Sequence, residues 1–237
     1  MLILAVDSSS PSGSLALLRD ATLLAHKISS EEPYSAGLLR DTKELLQGSR
    51  ISLEEIDLFA VDAGPGSFTG LRVGLTTVKG WAEVWQRPIA AVSGLEAMAL
   101  QVSRSAVPGL TIVSVLDARR GQIFGGIFRI RSGDSAAFDR IGDEVLATAD
   151  EFLEALRVQS GDVSGLIIAC ISPEVIQPAL QRQGLGCCRI QVVSNEFAPF
   201  IGQLGYAKAL RGEVVDALHL DANYIRRSDA EMNWKVG

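Results

Sequence analysis

The sequence predicts a mixed α/β fold in two lobes, and three observations carry that reading. Strand-like and helix-like segments alternate along the chain instead of clustering by type. The 237 residues are 47% hydrophobic and 21% charged, enough apolar material for a packed core and too much for a disordered chain. The stretch 102–110, with Pro108 and Gly109, reads as a boundary between the two parts. The expected organisation is a first lobe over 1–102 joined by a C-terminal helix at about 199–215, a smaller second lobe over 103–198, and a tail over 216–237.

Residues 2–7 read as a strand that ends at Asp7 in a serine-rich turn, 8–13. Residues 14–18 and 21–28 follow as further strands of a hairpin. Pro33 suits the first turn of a helix running to about Gln47, with Gly48 as its stop. On that helix Leu38, Thr42 and Leu45, with Leu39 and Leu46 beside them, form a broad apolar face. Residues 58–61 read as a buried strand that delivers Asp62 and the loop Ala63-Gly64-Pro65-Gly66-Ser67-Phe68-Thr69-Gly70. A helix over 68–86 comes next, stopped by Pro88. A strand at 89–93 and a helix at 95–102, begun by Ser93, complete the first part.

In the second part, 111–116 and 122–130 read as strands around the turn Asp117-Ala118-Arg119-Arg120-Gly121. Asp150 is expected to cap a helix over 151–158. A strand at 166–171, a helix at 173–183 and a strand at 190–193 follow. The last helix, around 199–211, carries Ile201, Leu204 and Ala207 to Ala209 on its apolar side. No repeat of 20–50 residues points to a solenoid.

Charge limits the partners. Lys and Arg number 22 against 28 Asp and Glu, a net charge of −6, so no general basic field exists to hold a phosphate backbone. The pairs Arg119-Arg120 and Arg226-Arg227 are too short to form an RNA-binding footprint, and RNA affinity would have to come mainly from another chain. The three cysteines, Cys170, Cys187 and Cys188, make no closed disulfide framework and read as small thiols in a reducing compartment. His26 and His219 have no ligand-spaced neighbour, and no metal site is expected. No apolar run is long enough to span a bilayer, and Met1 to Asp7 lacks the basic start of a signal peptide. A soluble, cytoplasmic protein without membrane contact is expected.

The Gly-Pro-Gly-Ser-Phe-Thr-Gly loop between strand and helix is the richest local signal. Glycines permit a tight turn and close backbone approach, and free N–H groups at a helix start suit an anion. Neither the P-loop nor the dinucleotide fingerprint is present: Lys79 lies well inside the helix. Asp7 with Ser8 and Ser9 resembles the first phosphate turn of actin-like ATPases. A vestigial phosphate loop would thus comprise Asp7, Ser8, Ser9, Gly64, Gly66 and Ser67, with Asp62 and Asp117 as further acidic groups at strand ends. The plainer reading of each is a turn or cap residue. Trp81 and Trp85, one helical turn apart, are expected to pack, and Trp234 sits in the polar tail.

Gly66, Gly70 and Gly74 recur every four residues, and Thr77 continues the same side. Inside the helix they leave a strip nearly free of side chains, flanked by Leu71, Leu75, Val78 and Trp81. An interior glycine weakens a helix by about 1 kcal/mol relative to alanine, so Gly74 and Gly80 imply a close neighbour. That neighbour is either an element of the same domain or a second polypeptide. On the second alternative the docking face comprises Leu38, Leu39, Thr42, Leu45 and Leu46 with Gly70, Gly74, Thr77, Val78 and Trp81. Gly74→Leu or Leu39→Glu is then expected to abolish partner binding and leave the fold intact.

These segments resemble one family. Ile3-Leu4-Ala5-Val6-Asp7-Ser8-Ser9, Gly64-Pro65-Gly66-Ser67-Phe68-Thr69-Gly70-Leu71-Arg72-Val73-Gly74, Ser93-Gly94-Leu95-Glu96-Ala97, Asp117-Ala118-Arg119-Arg120-Gly121 and Tyr224-Ile225-Arg226-Arg227 are similar, in order and spacing, to TsaB (YeaZ) proteins. The likeness covers most of the chain and is loose over 131–198. It implies an actin-like/Hsp70-like (ASKHA, RNase H-like) fold and a role in forming N6-threonylcarbamoyladenosine at position 37 of tRNAs that read codons beginning with A. It further implies no cofactor and a non-catalytic role beside TsaD, the transferase, with the ATPase TsaE in the larger assembly. The first two helices would pack against those of TsaD or of a second TsaB. The TsaD metal site uses an H-x-x-x-H pair; here the matching stretch is Tyr34-Ser35-Ala36-Gly37-Leu38, and even the single histidine many TsaB chains keep near Tyr34 is missing. A small ASKHA hydrolase or kinase acting alone, using Asp7, Ser9 and the Gly66 to Gly70 loop, is the rival reading.

Overall fold

The computed structural model describes residues 1–10, 12–29, 34–104, 109–131, 138–160 and 165–225, without the side chains of 34–36 and 159–160. Pro33, Pro108, Trp234 and the Arg226-Arg227 pair, on which sequence expectations rest, lie outside the described residues. The chain divides into two compact units, Met1–Ala97 with Asn195–Tyr224, and Met98–Ser194 with Ile225–Gly237.

In the first unit β1 (Leu2–Asp7), β2 (Ser14–Arg19) and β3 (Thr22–Ile28) form an antiparallel meander, and β4 (Leu58–Asp62) and β5 (Ile89–Val92) add in parallel on the far side of β1. The order is β3-β2-β1-β4-β5. β1 and β4 are buried along their whole length, which is why both read as unbroken apolar runs. Side chains alternate across the sheet. Leu4, Val6, Leu17, Phe59 and Val61 enter one core cluster with Leu38, Leu45, Leu46, Leu71, Leu75 and Val78 from α1 (Tyr34–Ser49) and α2 (Phe68–Trp85). The opposite face carries α6 (Ala198–Leu210), whose Gly202 and Gly205 sit directly on Leu18 and Ala60. The buried side of α6 is therefore Ala198, Ile201, Gly202 and Gly205; Leu204 and Ala207, expected there, are only half-buried.

Gly48 does not stop α1, which continues to Ser49 and ends where Arg50 takes φ 56°. Beyond α6 the chain stays in the unit: Val215 bridges Ile89, and Leu220 of the expected tail is 1% exposed in the core.

The second unit repeats the strand order of the first. β6 (Thr111–Arg119), β7 (Gln122–Ile130) and β8 (Phe138–Arg140) form the meander, and β10 (Ile167–Cys170) and β11 (Arg189–Val192) add in parallel, giving β11-β10-β6-β7-β8 with β9 (Val145–Thr148) also on β7. β8 and β9, of three and four residues, were not anticipated. α4 (Ala149–Ser160) is capped from Thr148 and not from Asp150. Thr148 N–H donates to Glu151 Oε2 at 2.9 Å, and Thr148 Oγ1 accepts from Glu151 N–H at 3.3 Å. The expected helix at 173–183 is a 3-10 turn over Pro173–Val175 followed by α5 (Gln177–Arg182). α3 (Gly94–Ser103) links the sheets along the chain.

Candidate functional site

The end of β1, the end of β4 and the start of α2 meet in one buried knot. Asp7 Oδ1 accepts from Ser9 N–H at 3.0 Å and Ser10 N–H at 3.1 Å, and Oδ2 accepts from Ser10 Oγ at 2.5 Å. The turn after β1 is thus an Asx-type turn closed on its own aspartate. Ser9 Oγ donates to Asp62 Oδ2, and Asp62 Oδ1 accepts from Gly64 N–H at 2.8 Å, which ties the glycine loop to the same knot. Burial pushes the Asp7 carboxyl above the usual carboxylate range, against the hydrogen bonds from Ser10 and Ser9 that pull it down.

The start of α2 closes over this turn. Ser67 caps the helix, its Oγ accepting from Gly70 N–H at 3.3 Å, and Ser67 N–H donates to the Ser9 carbonyl at 3.2 Å. Ser8 Oγ donates to the Gly70 carbonyl at 2.7 Å. A β-carbon on Gly66 would lie 2.7 Å from Ser9 Oγ, one on Gly70 would overlap the Ser8 carbonyl, and one on Gly74 would overlap Ser8 Oγ.

The six residues expected as a phosphate loop therefore do come together, and the space beside Gly66, Gly70 and Gly74 is taken by Ser8 and Ser9. The glycine strip is corrected in the same way: Gly70 and Gly74 serve the close approach of the β1 turn of their own unit, not of a second polypeptide. Gly80 differs, with nothing within 4 Å of a β-carbon placed there. Asp117, in the second unit, accepts from Arg119 N–H at 2.7 Å, a turn role.

The expected docking face divides. Leu38, Thr42, Leu45 and Leu46 on α1, and Gly70, Gly74 and Val78 on α2, are buried within the chain. Thr42 Oγ1 donates to the Leu38 carbonyl at 2.8 Å. Trp81, partly buried, tilts against Phe59 with ring centroids 5.8 Å apart, and Thr77 is partly buried. Leu39, in contrast, is 56% exposed, and Val84 on α2 is 69% exposed. Arg72, Thr76, Gly80 and Glu83 continue the exposed side of α2. What the sequence took as one apolar face of α1 is an inward face of 38, 42, 45 and 46 with Leu39 turned outward.

Residues 27–163, more than half of the chain, match the family described as "TsaD: tRNA N6-adenosine threonylcarbamoyltransferase". The TsaB protein of Bacillus subtilis, named a tRNA threonylcarbamoyladenosine biosynthesis protein, is 30% identical over 237 residues, spanning 99% of this chain and 98% of the relative. The chain belongs to the TsaD family as one of its TsaB members. TsaB of Escherichia coli is 34% identical over 125 residues, 52% of this chain and 53% of that one. Among solved structures, YeaZ of Pseudomonas aeruginosa superposes with TM-score 0.75 at 24% identity, covering 94% of this chain and 99% of its own. The Lmo2764 protein of Listeria monocytogenes matches with TM-score 0.50 at 13% identity, over 89% and 100%. At these identities the structures speak for the fold alone: the α/β, actin-like (ASKHA) fold that the TsaB resemblance implies.

Two features of this TsaB chain escaped the sequence reading. Ser10 supplies two of the donors to Asp7, and a run of three serines after an aspartate is the signal that could have shown it. Phe68, Arg72 and Tyr224 form an exposed stack: the Arg72 guanidinium lies 3.9 Å over the Phe68 ring, whose centroid is 5.2 Å from that of Tyr224. All three stand in the quoted family segments, yet 152 residues separate Arg72 from Tyr224.

Proposed function

We propose that this TsaB-family chain acts as the non-catalytic, activating partner of a TsaD-type transferase in forming N6-threonylcarbamoyladenosine at position 37 of tRNAs that read ANN codons. The observation that carries the reading is the filled glycine loop. The hydroxyls of Ser8 and Ser9 occupy the space beside Gly74 and Gly66, and the Asp7 carboxyl is taken up by Ser9 and Ser10 of its own turn. A turn closed in this way serves to hold α2 rigidly against β1, which suits a scaffold more than a catalyst. The named biosynthetic role of the Bacillus subtilis relative supports the pathway.

The docking face we assign is the outer side of α1 and α2, with Leu39 and Val84 exposed and Gly80 offering bare backbone. Small residues permit close helix approach, and exposed apolar side chains supply area to bury. This face receives the TsaD-type transferase, or a second copy of this chain when the transferase is absent. A TsaE-type ATPase joins the larger assembly, and tRNA is reached only through it, in keeping with the net charge of −6. No described helix is long and apolar enough to cross a membrane, and we assign the complex to the cytoplasm.

Co-purification with the TsaD-type transferase, followed by a tRNA modification assay with and without this chain, tests the proposal. Stable association and modification that depends on this chain are expected. Turnover of ATP–Mg²⁺ by the isolated chain would favour the rival hydrolase or kinase instead.

A further inference from the structure

Most surface arginines of known partner here are tied to carboxylates: Arg131 to Asp139, Arg182 to Asp150, Arg211 to Glu213 and Arg119 to Asp117. Arg72 is held differently. Its guanidinium carbon stands over the Phe68 ring, 3.9 Å from the centroid, and its Nε–H donates to the Tyr224 hydroxyl at 3.4 Å. Both anchors are neutral. The terminal nitrogens Nη1 and Nη2 carry no hydrogen bond or ion pair among the described residues. A fixed guanidinium with its charge unspent and its two-pronged edge open is a ready receptor for a carboxylate or phosphate. Little side-chain entropy remains to be lost when an anion arrives.

The surroundings favour a protein carboxylate. Phe68 is 36% and Tyr224 41% exposed, and a Phe, Tyr and Arg cluster is the composition of a protein interface hot spot. The Phe68 ring has the guanidinium over it and Tyr224 tilted 42° against it, so it is no open platform for a flat base. A phosphate backbone would also meet a chain of net charge −6. Phe68 begins α2, so the cluster continues the outer side of the helix assigned above to docking.

We propose that Arg72, clamped by Phe68 and Tyr224, receives an Asp or Glu carboxylate of the TsaD-type partner in a two-pronged ion pair, and that this trio is the hot spot of the docking face. The inference rests on the docking reading above. Arg72→Lys keeps the charge but loses the fork and the flat stacking surface, and Arg72→Ala loses all three.

The test is the affinity of the purified full chain for the purified transferase, measured for wild type, Arg72→Lys, Arg72→Ala, Tyr224→Phe and Leu39→Glu, with melting curves for each. Expected are a loss of about tenfold for Arg72→Lys and about 30-fold or more for Arg72→Ala, with melting temperatures unchanged. Arg72 variants that bind within twofold of wild type while Leu39→Glu does not bind overturn the hot spot and leave the docking face standing. Wild type that fails to bind overturns both. Arg72 variants that keep the transferase but weaken capture of tRNA by the complex overturn the carboxylate in favour of an RNA phosphate. Lower melting temperatures for both Arg72 variants, in proportion to the lost affinity, overturn it in favour of a structural role.

Discussion

Ser8 Oγ donates a 2.7 Å hydrogen bond to the carbonyl of Gly70, joining the turn after β1 to the first turn of α2 across 62 residues. The contact exists because Gly70 has no β-carbon: the space one would occupy holds the Ser8 carbonyl. The glycine therefore serves tertiary packing, at a cost in helix propensity of about 1 kcal/mol.

Gly70→Ala is expected to destabilise the protein by about 3 kcal/mol despite alanine's better helix propensity, because the obstruction is backbone and cannot turn aside. Gly80→Ala, with open space around the new methyl, should instead raise stability by about 0.5–1 kcal/mol. Urea unfolding of the two variants gives opposite signs if the tertiary contact, and not helix propensity, dictates glycine at position 70.

Leu39→Glu should leave the melting curve of the isolated chain within about 0.5 kcal/mol of wild type, since the side chain is largely exposed. Its neighbour Leu38 lies in the core, and Leu38→Glu should unfold the chain or cost several kcal/mol by burying a charge. Partner binding is lost in both, but only Leu39→Glu loses it while folded. Gly74→Leu does not serve this purpose, because its side chain would be forced into Ser8. A Leu39→Glu chain that still binds the transferase with wild-type affinity would remove α1 from the interface.

The Asp7 carboxyl is raised in the folded protein by burial. A raised acid binds its proton more tightly folded than unfolded, so its contribution is greatest below the unfolded value and is lost as pH rises through the folded one. Asp7→Asn does not titrate. From about pH 4 to pH 7 the stability of wild type should fall relative to Asp7→Asn, whatever the offset between them. Urea midpoints for the pair across that range check the trend, and a constant difference would contradict it.

Cys170 is buried at the end of β10, and burial pushes its thiol up to about 11, whereas Cys187 is exposed. Burial also raises Cys188. A thiol reagent at neutral pH should therefore modify one cysteine of the three quickly in the native protein, and Cys170 only after unfolding. Mass spectrometry of the labelled chain locates the fast site; rapid labelling at Cys170 would place it outside the core.

The order of strands and helices was legible because each long element carries its own periodicity: β1 and β4 as unbroken apolar runs, α1 and α2 as helical stripes bounded by Ser, Gly and Pro. β8 and β9 were not: β8, Phe-Asp-Arg, carries a single apolar residue, and β9, Val-Leu-Ala-Thr, runs straight into α4. The repeated strand order of the two units was hidden as well. Hydrogen bonding between strands sets that order, and it joins residues far apart in the chain.

The sequence by itself determined the order of the longer elements, the acidic character and the TsaB kinship, since these rest on local periodicity, composition and contiguous runs of residues. Only the tertiary structure decided which way each stripe faces. A helical stripe of leucines or glycines records that something packs closely, not what does, and one residue of offset separates buried Leu38 from exposed Leu39. Ser8 fills the glycine groove and Tyr224 steadies Arg72 because folding brings residues 62 and 152 positions apart into contact, at separations where no local pattern reaches.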